Sequence, residues 1–310
     1  MANTPLIDPA PRTFYDVPIV RDLDTLDAQV AFLGVPYDGG TPQPGLPTGQ
    51  RGGPAAAREA SSDQFFHGEG WYDVESDRDL LAGVTMADVG DVAIQGSDTE
   101  GNYERMTRAA RTIAERGALM VAFGGDHSVS YPLGRGMETL GEFDVVHVDA
   151  HTDFMDTLGG TRLTGASQLR RLAELPSVRT VSAIGVRNVL REEVDGLREL
   201  DGRWATTLDV IERGPAQVVR DTVPEADALY VSIDLDVLDA SVAPGHSLQE
   251  PGGLDYRRLR GILAEVARRG RVIGVDVVEL NPARDPSGIT ARVATWTITH
   301  FLSEIFDLPR

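Results

Sequence analysis

The chain has 310 residues, 41% hydrophobic and 25% charged, a composition that bounds a globular protein with a sizeable core and excludes a disordered one. Its formal charge of −19 argues against nucleic acid and anionic lipid as partners, since both are repelled at long range, and suits a cationic small molecule. Cysteine is absent, which excludes disulfides, thiolate nucleophiles and zinc–thiolate sites, and all 29 basic residues are arginine.

The opening MANTPLIDPAPRTFYDVP lacks a basic segment followed by an apolar run, so no secretory signal is expected. No apolar stretch approaches the ~20 residues that span a bilayer, and a cytoplasmic location is the expectation. Val30–Val35 is the first short apolar run, and the Gly- and Pro-rich Pro42–Pro54 reads as one extended loop. Val84–Val89 follows, then helical spacing over Asn102–Arg116 and further apolar runs at Leu119–Phe123 and Val145–Val148. Gln168–Leu175 has helical spacing, Thr180–Ile184 is apolar, and a weaker strand candidate lies near Trp204–Thr207. The remaining elements are Leu229–Ile233, a helix over Tyr256–Arg269, Val272–Val277 and a closing helix over Thr290–Phe306. Continuous rather than alternating hydrophobicity predicts strands buried on both faces, as in a parallel sheet. Alternation of β and α elements predicts an α/β protein, a three-layer α/β/α sandwich. Without internal repeats or a long linker, residues 1–310 read as a single domain.

Polar residues cluster where the strands end. Leu119–Phe123 runs into GGDHS, Val145–Val148 into DAHTD, Leu229–Ile233 into DLDVLD, and Val272–Val277 into VELNP. Ligands of open parallel sheets bind outside the carboxyl ends of the strands, so four strands deliver acids and imidazoles to one rim. Asp149, His151 and Asp153 alternate and share a face if strand geometry continues; Asp234 and Asp236 do the same, and His127 follows a Gly-Gly turn. Four carboxylates at one place repel unless a cation is present. The oxygen-rich set with two histidines suits a hard or borderline divalent ion such as Mn²⁺, with Ni²⁺ or another ion as alternatives, and six ligands fit a two-metal hydrolase. Taken singly, Asp234 or Asp236 reads as a turn or capping residue. His147 lies deeper in its apolar run and reads as a core or supporting histidine, while His67, His246 and His300 are isolated and read as structural.

The motifs GVPYDGGT (34–41), GGPAAAREAS (52–61), GGDHS (124–128), DAHTD (149–153), SIDLDVLD (232–239), APG…EPGGL (243–254) and VDVVELNP (275–282) occur in one order along most of the chain. In that order they resemble the ureohydrolase superfamily of arginases and agmatinases, with the agmatinase-like members nearest. The resemblance implies a mostly parallel eight-stranded sheet and a dinuclear metal site. His127, Asp149, Asp153 and Asp234 would surround one ion, with His151 and Asp236 completing the second and Asp149 and Asp234 bridging. It further implies a hydroxide between the ions as nucleophile, Asp153 accepting a hydrogen bond from it, and Glu279 pairing with the guanidinium of a small-molecule substrate. Urea and an amine would be released, and relatives form trimers or hexamers.

Three stretches depart from the family pattern. A histidine normally follows DAHTD and is thought to pass a proton to the leaving amine; LTGASQLRR (163–171) places Gly165 there, or Thr164 with a one-residue slip. The loop TPQPGLPTGQR (41–51) is longer than the pattern, and GHSLQEPGG (245–253) replaces GTGTPEPGG. Hydrolysis of a guanidino compound, agmatinase-like or acting on a guanidino acid, is the leading reading. A dinuclear-metal C–N hydrolase acting on a formimino, ureido or amide group, or a weakly active partner subunit, are the alternatives.

Overall fold

In a computed structural model that describes residues 7–8, 12–41, 48–62 and 71–307, the apolar runs pair side by side into one sheet. In chain order the elements are β1 (Ile7–Asp8), β2 (Val30–Gly34), α1 (Gly53–Ser62), β3 (Trp71–Asp73), β4 (Arg78–Leu80), β5 (Met86–Val92) and α2 (Thr99–Glu115). Then come β6 (Leu119–Phe123), α3 (Ser130–Gly136), β7 (Phe143–Val148), α4 (Gln168–Ala173), β8 (Val178–Val186), α5 (Arg191–Glu199) and β9 (Arg203–Thr206). The chain continues with α6 (Thr207–Arg213), α7 (Pro215–Thr222), β10 (Ala226–Asp234), α8 (Tyr256–Ala267), β11 (Gly270–Val278) and α9 (Ile289–Asp307). The sheet order is β1-β5-β2-β6-β11-β10-β7-β8-β9. Eight strands are parallel, as expected, and the two-residue β1 adds an antiparallel edge beside β5.

Every residue of β2, β6 and β7 is buried, which is why their sequences show no alternation. Alternate side chains feed two separate cores. Phe32, Val121, Val231 and Val275 pack with α1, α7, α8 and α9, whereas Leu33, Met120, Val145 and Ile273 pack with α2, α3, α4 and α5. That is the three-layer sandwich.

The loop expected over Pro42–Pro54 ends earlier than its composition suggested. Residues 42–47 lie outside the described part, and Gly53 and Pro54 already open α1, where a proline forfeits no helical hydrogen bond. Helix α1, the short helices α3, α5, α6 and α7 and the β3–β4 hairpin are not marked by the sequence periodicity. α3 (SYPLGRG) carries a proline and two glycines, and α5 (REEVDGLRE) has only two large apolar residues, too few to set a helical period.

α1 is held to the sheet by a buried ion pair. Arg58, fully enclosed, places Nε 2.8 Å from Asp88 Oδ2 and Nη1 2.5 Å from Asp91 Oδ1, with its guanidinium 4.3 Å over the Phe14 ring. Removing the cation strands a buried carboxylate, which typically costs about 3–5 kcal/mol. Arg58→Met is expected to lower the urea-denaturation stability by roughly that amount; a change indistinguishable from zero would show that the pair does not anchor α1.

Candidate metal centre

The strands that carry the polar motifs, β6, β11, β10 and β7, are consecutive in the middle of the sheet. Parallel register aligns His147 on β7 with Ser232 on β10, and Ser232 with Asp276 on β11. Two residues further along β7 and β10 come Asp149 and Asp234, at the rim. After β6 the chain turns through Gly124 and Gly125; a Cβ on Gly125 would stand 1.7 Å from the Tyr37 carbonyl oxygen, so glycine is required there. The turn delivers His127 to the same rim, capped by Asp126, whose carboxylate accepts the Ser128 N–H at 3.1 Å.

Two donor groups result. His127 Nδ1 lies 3.1 Å from Asp149 Oδ2, 3.0 Å from Asp153 Oδ2 and 2.9 Å from Asp234 Oδ2. Beside it, His151 Nδ1 lies 3.2 Å from Asp149 Oδ1 and 3.1 Å from Asp236 Oδ2. Asp149 therefore spans both groups with one oxygen each. Asp234 presents Oδ2 to the first group while its Oδ1 accepts the Asp236 N–H at 2.8 Å. All six residues that the sequence singled out as metal ligands thus meet at one place.

Several atoms here lack the partners that burial demands. His127 Nδ1 and Asp149 Oδ2 are buried and close to one another, yet neither forms a hydrogen bond. An unsatisfied buried polar atom costs about 1–3 kcal/mol, so their convergence fits a divalent cation in the first group, and His151 Nδ1, Asp149 Oδ1 and Asp236 Oδ2 offer donors of the same kind to a second. The acid strengths agree. Burial and then the charges of Asp236 and Asp149 push Asp234 well above the usual carboxylate range, and burial and then Asp149 raise Asp236. Burial also opposes ionisation of Asp149, but His147, His127 and His151 override it and hold that carboxyl well below its ordinary value. Without added positive charge the buried acids cannot all ionise together.

A polar chain behind the site fixes the His127 ring. Nε2 lies 2.9 Å from Ser232 Oγ, which donates to Asp276 Oδ1 at 2.7 Å, while Ser130 donates to the same oxygen at 3.0 Å and Tyr230 to the other. With the Ser232 proton committed to Asp276, its oxygen accepts Nε2–H, leaving Nδ1 to face the carboxylates, where its lone pair could serve an ion. His147 is buried in β7, as its apolar run implies. Its Nε2 nevertheless comes 2.9 Å from Asp149 Oδ2 and its ring stacks on His127 at 4.9 Å, so it walls the first donor group.

Glu279 follows β11 with φ at 65°, and Asp153 has φ at 47°; both occupy the left-handed region that non-glycine residues avoid at a cost of about 1–3 kcal/mol. Backbone bonds hold them there: Glu279 N–H donates to Gly125 O at 2.9 Å, and Asp153 O accepts the Leu169 N–H at 3.2 Å. Glu279 Oε1 accepts the His127 N–H and Oε2 the Gln50 amide, each at 3.0 Å. Burial and then the Asp126 charge push its carboxyl up to about 7, against the Gln50 hydrogen bond that lowers it.

These groups open onto a cleft of about 400 Å³, and Glu279 and Asp153 line it. Gly165 lines it too, whereas Thr164 is buried with its hydroxyl 2.7 Å from Ser167 Oγ. A Cβ on Gly165 would meet His127 Cβ at 3.7 Å, an ordinary contact, so a side chain could stand there. The described parts of the other two departing stretches also reach the cleft, through Thr41 and Gln50 and through Ser247 and Leu248. Gln50, Ser247 and Glu193 were not foreseen. Glu193 belongs to α5, and its carboxylate accepts the Phe154 and Leu190 N–H groups, tying that helix to the DAHTD loop. Only the folded chain brings it there. His300 is structural, with Nδ1 2.7 Å from the Tyr256 hydroxyl, and His246 is buried outside the donor groups. His67 lies outside the described residues.

Fold and site together define an α/β/α hydrolase with donors arranged for two metal ions. Residues 28–303 match the Arginase family, and the chain belongs to it. It is 33% identical over 297 residues to the formimidoylglutamase of Halobacterium salinarum, covering 93% of this chain and 90% of that one. It is 31% identical over 258 residues to the agmatinase of Bacillus subtilis, covering 82% and 85%. The solved proclavaminate amidino hydrolase from Streptomyces clavuligerus superposes with a TM-score of 0.84 at 28% identity, covering 97% and 98% of the two chains. The chain is an enzyme of the ureohydrolase class. No helix among the described residues is long and apolar enough to cross a membrane.

Protein prepared with excess Mn²⁺ or Ni²⁺ is expected to hold two ions per chain by elemental analysis. Asp149→Asn or Asp234→Asn should lower that occupancy and abolish activity, because an amide cannot supply the same charge. One ion or none in the wild-type protein would contradict the site as drawn.

Proposed function

We propose that the protein hydrolyses a guanidino compound to urea and an amine, agmatinase-like or acting on a guanidino acid, with two Mn²⁺ ions held by His127, Asp149, Asp153, Asp234, His151 and Asp236. The observation that carries this reading is the pair of donor groups that share Asp149, with His127 Nδ1 and Asp149 Oδ2 unsatisfied, beside a cleft that Glu279 also lines. When bound, such ions lower the pKa of water toward ~7 and so supply a nucleophile at neutral pH. Asp153 accepts a hydrogen bond from the attacking water and turns it toward the guanidinium carbon. Glu279 pairs with the guanidinium nitrogens through charge-assisted hydrogen bonds, the geometry that a planar cation and a carboxylate favour. Its left-handed backbone and its two protein donors keep it aimed at the cleft. The reading extends, on the family resemblance, to a cytoplasmic trimer or hexamer formed by a single domain.

A second reading keeps the metal chemistry and changes the scissile group to a formimino, ureido or amide carbon. It is favoured by Gly165, which offers no imidazole to protonate a leaving amine, and by the likeness to a formimidoylglutamase. Urea as product separates the first reading from the second, which gives ammonia or formamide.

Glu279→Gln should leave metal content unchanged while lowering kcat/KM for guanidino substrates roughly 10–100-fold, the worth of a charged hydrogen bond of about 1.5–3 kcal/mol. Wild-type turnover by that variant would remove Glu279 from substrate binding. Gly165→His restores an imidazole, which in a site merely lacking one would speed turnover by ~10²–10⁴-fold. Because two further cleft-lining stretches also depart from the pattern, we expect the opposite, a slower rate on the best wild-type substrate. A faster rate would show simple loss rather than remodelling.

A further inference from the structure

The inner half of the cleft is polar and accounted for, whereas the outer half has a different chemistry. Met155, Leu158, Val189, Leu190 and Leu248 line it. Leu190 and Leu248 are 51% and 41% exposed, large aliphatic side chains left facing solvent on a chain of net charge −19. Several polar neighbours are already engaged. Asn188 donates to Glu250 Oε1 at 2.6 Å, and Ser247 Oγ accepts the Gln50 amide. Glu193 accepts from the Thr152 hydroxyl and from the Phe154 and Leu190 N–H groups. Among the described residues no arginine lines the cleft, the sequence has no lysine, and residues 42–47 (PQPGLP) contain no ionisable side chain.

We propose that Leu190, with Met155 and Leu248, selects an amidino substrate whose far end is an uncharged hydrocarbon, not a carboxylate, an amino acid or an ammonium. The assignment rests on the reading of the inner site as an amidino hydrolase and narrows it, replacing the charged tails of agmatine and the guanidino acids by an uncharged one. A carboxylate tail would be desolvated with no cation to receive it, and an ammonium would meet mainly aliphatic carbon and, in Glu193, a carboxylate that already accepts three hydrogen bonds. A hydrocarbon tail instead removes its own surface and that of both leucines from water.

The test uses metal-replete protein and measures urea release from n-pentylguanidine, agmatine, 4-guanidinobutyrate and arginine. Agmatine differs from n-pentylguanidine by an ammonium in place of the terminal methyl, so the pair isolates the charge. We expect kcat/KM for n-pentylguanidine to exceed that for each charged compound by at least about tenfold, the difference lying mainly in KM. Leu190→Arg should reverse the order between n-pentylguanidine and 4-guanidinobutyrate, a switch that a loss of stability alone would not produce. Agmatine, arginine or 4-guanidinobutyrate as the best wild-type substrate would overturn the tail assignment and leave the amidino-hydrolase reading standing. No urea from any of the four, in protein holding two ions, would remove that reading and the tail assignment with it.

Discussion

Mutual repulsion among buried carboxylates is the constraint around which this molecule is arranged. Two like charges 4 Å apart repel by about 4 kcal/mol at an effective dielectric near 20, and Asp149, Asp153, Asp234 and Asp236 crowd together with almost no exposure to water. Folding can bring them together only if the scaffold is rigid and the charge is compensated. Rigidity comes from placement: the acids follow central strands whose residues are buried on both faces and whose register is fixed by neighbours on each side. Compensation falls to the cations that the donor atoms fit, with the two histidines as their ligands.

The layers behind the rim serve the same end. Asp276, Ser232, Ser130 and Tyr230 form a polar seam inside the core whose output is one oriented imidazole. Such a seam is expensive to bury unless each member is satisfied, and here the serine and tyrosine protons all go to Asp276. The strained backbones of Asp153 and Glu279 serve the cleft in turn. Both residues turn away from regular strand or helix geometry where their side chains are needed, and in each case neighbouring backbone groups hold the turn.

Much of this was legible in the sequence. Double-sided burial leaves uninterrupted apolar runs, so the parallel sheet showed itself in Leu119–Phe123 and Val145–Val148, and the rule that sites form at strand ends pointed to the residues that follow them. The six donors were legible because they lie in short motifs, where spacing along the chain maps directly onto spacing in space. What escaped notice depends on tertiary approach. Glu193 reaches the cleft from a helix some forty residues beyond DAHTD, Gln50 from the turn before α1, and the approach of His147 Nε2 to Asp149 Oδ2 is a matter of ring orientation that the apolar run does not encode. Left-handed backbone at a glutamate has no sequence signature at all. The short helices leave no trace for a simpler reason: seven to nine residues are too few for a 3.6-residue period to stand out.

The central claim is that one shared carboxylate joins two cation sites at the end of a parallel sheet. Anomalous diffraction from crystals of the Mn²⁺-loaded protein tests it most directly. The account predicts two peaks roughly 3.5–4 Å apart, one against His127 Nδ1 and the other against His151 Nδ1, with Asp149 between them. A single peak, or a pair that leaves Asp149 or either histidine without contact, would contradict it.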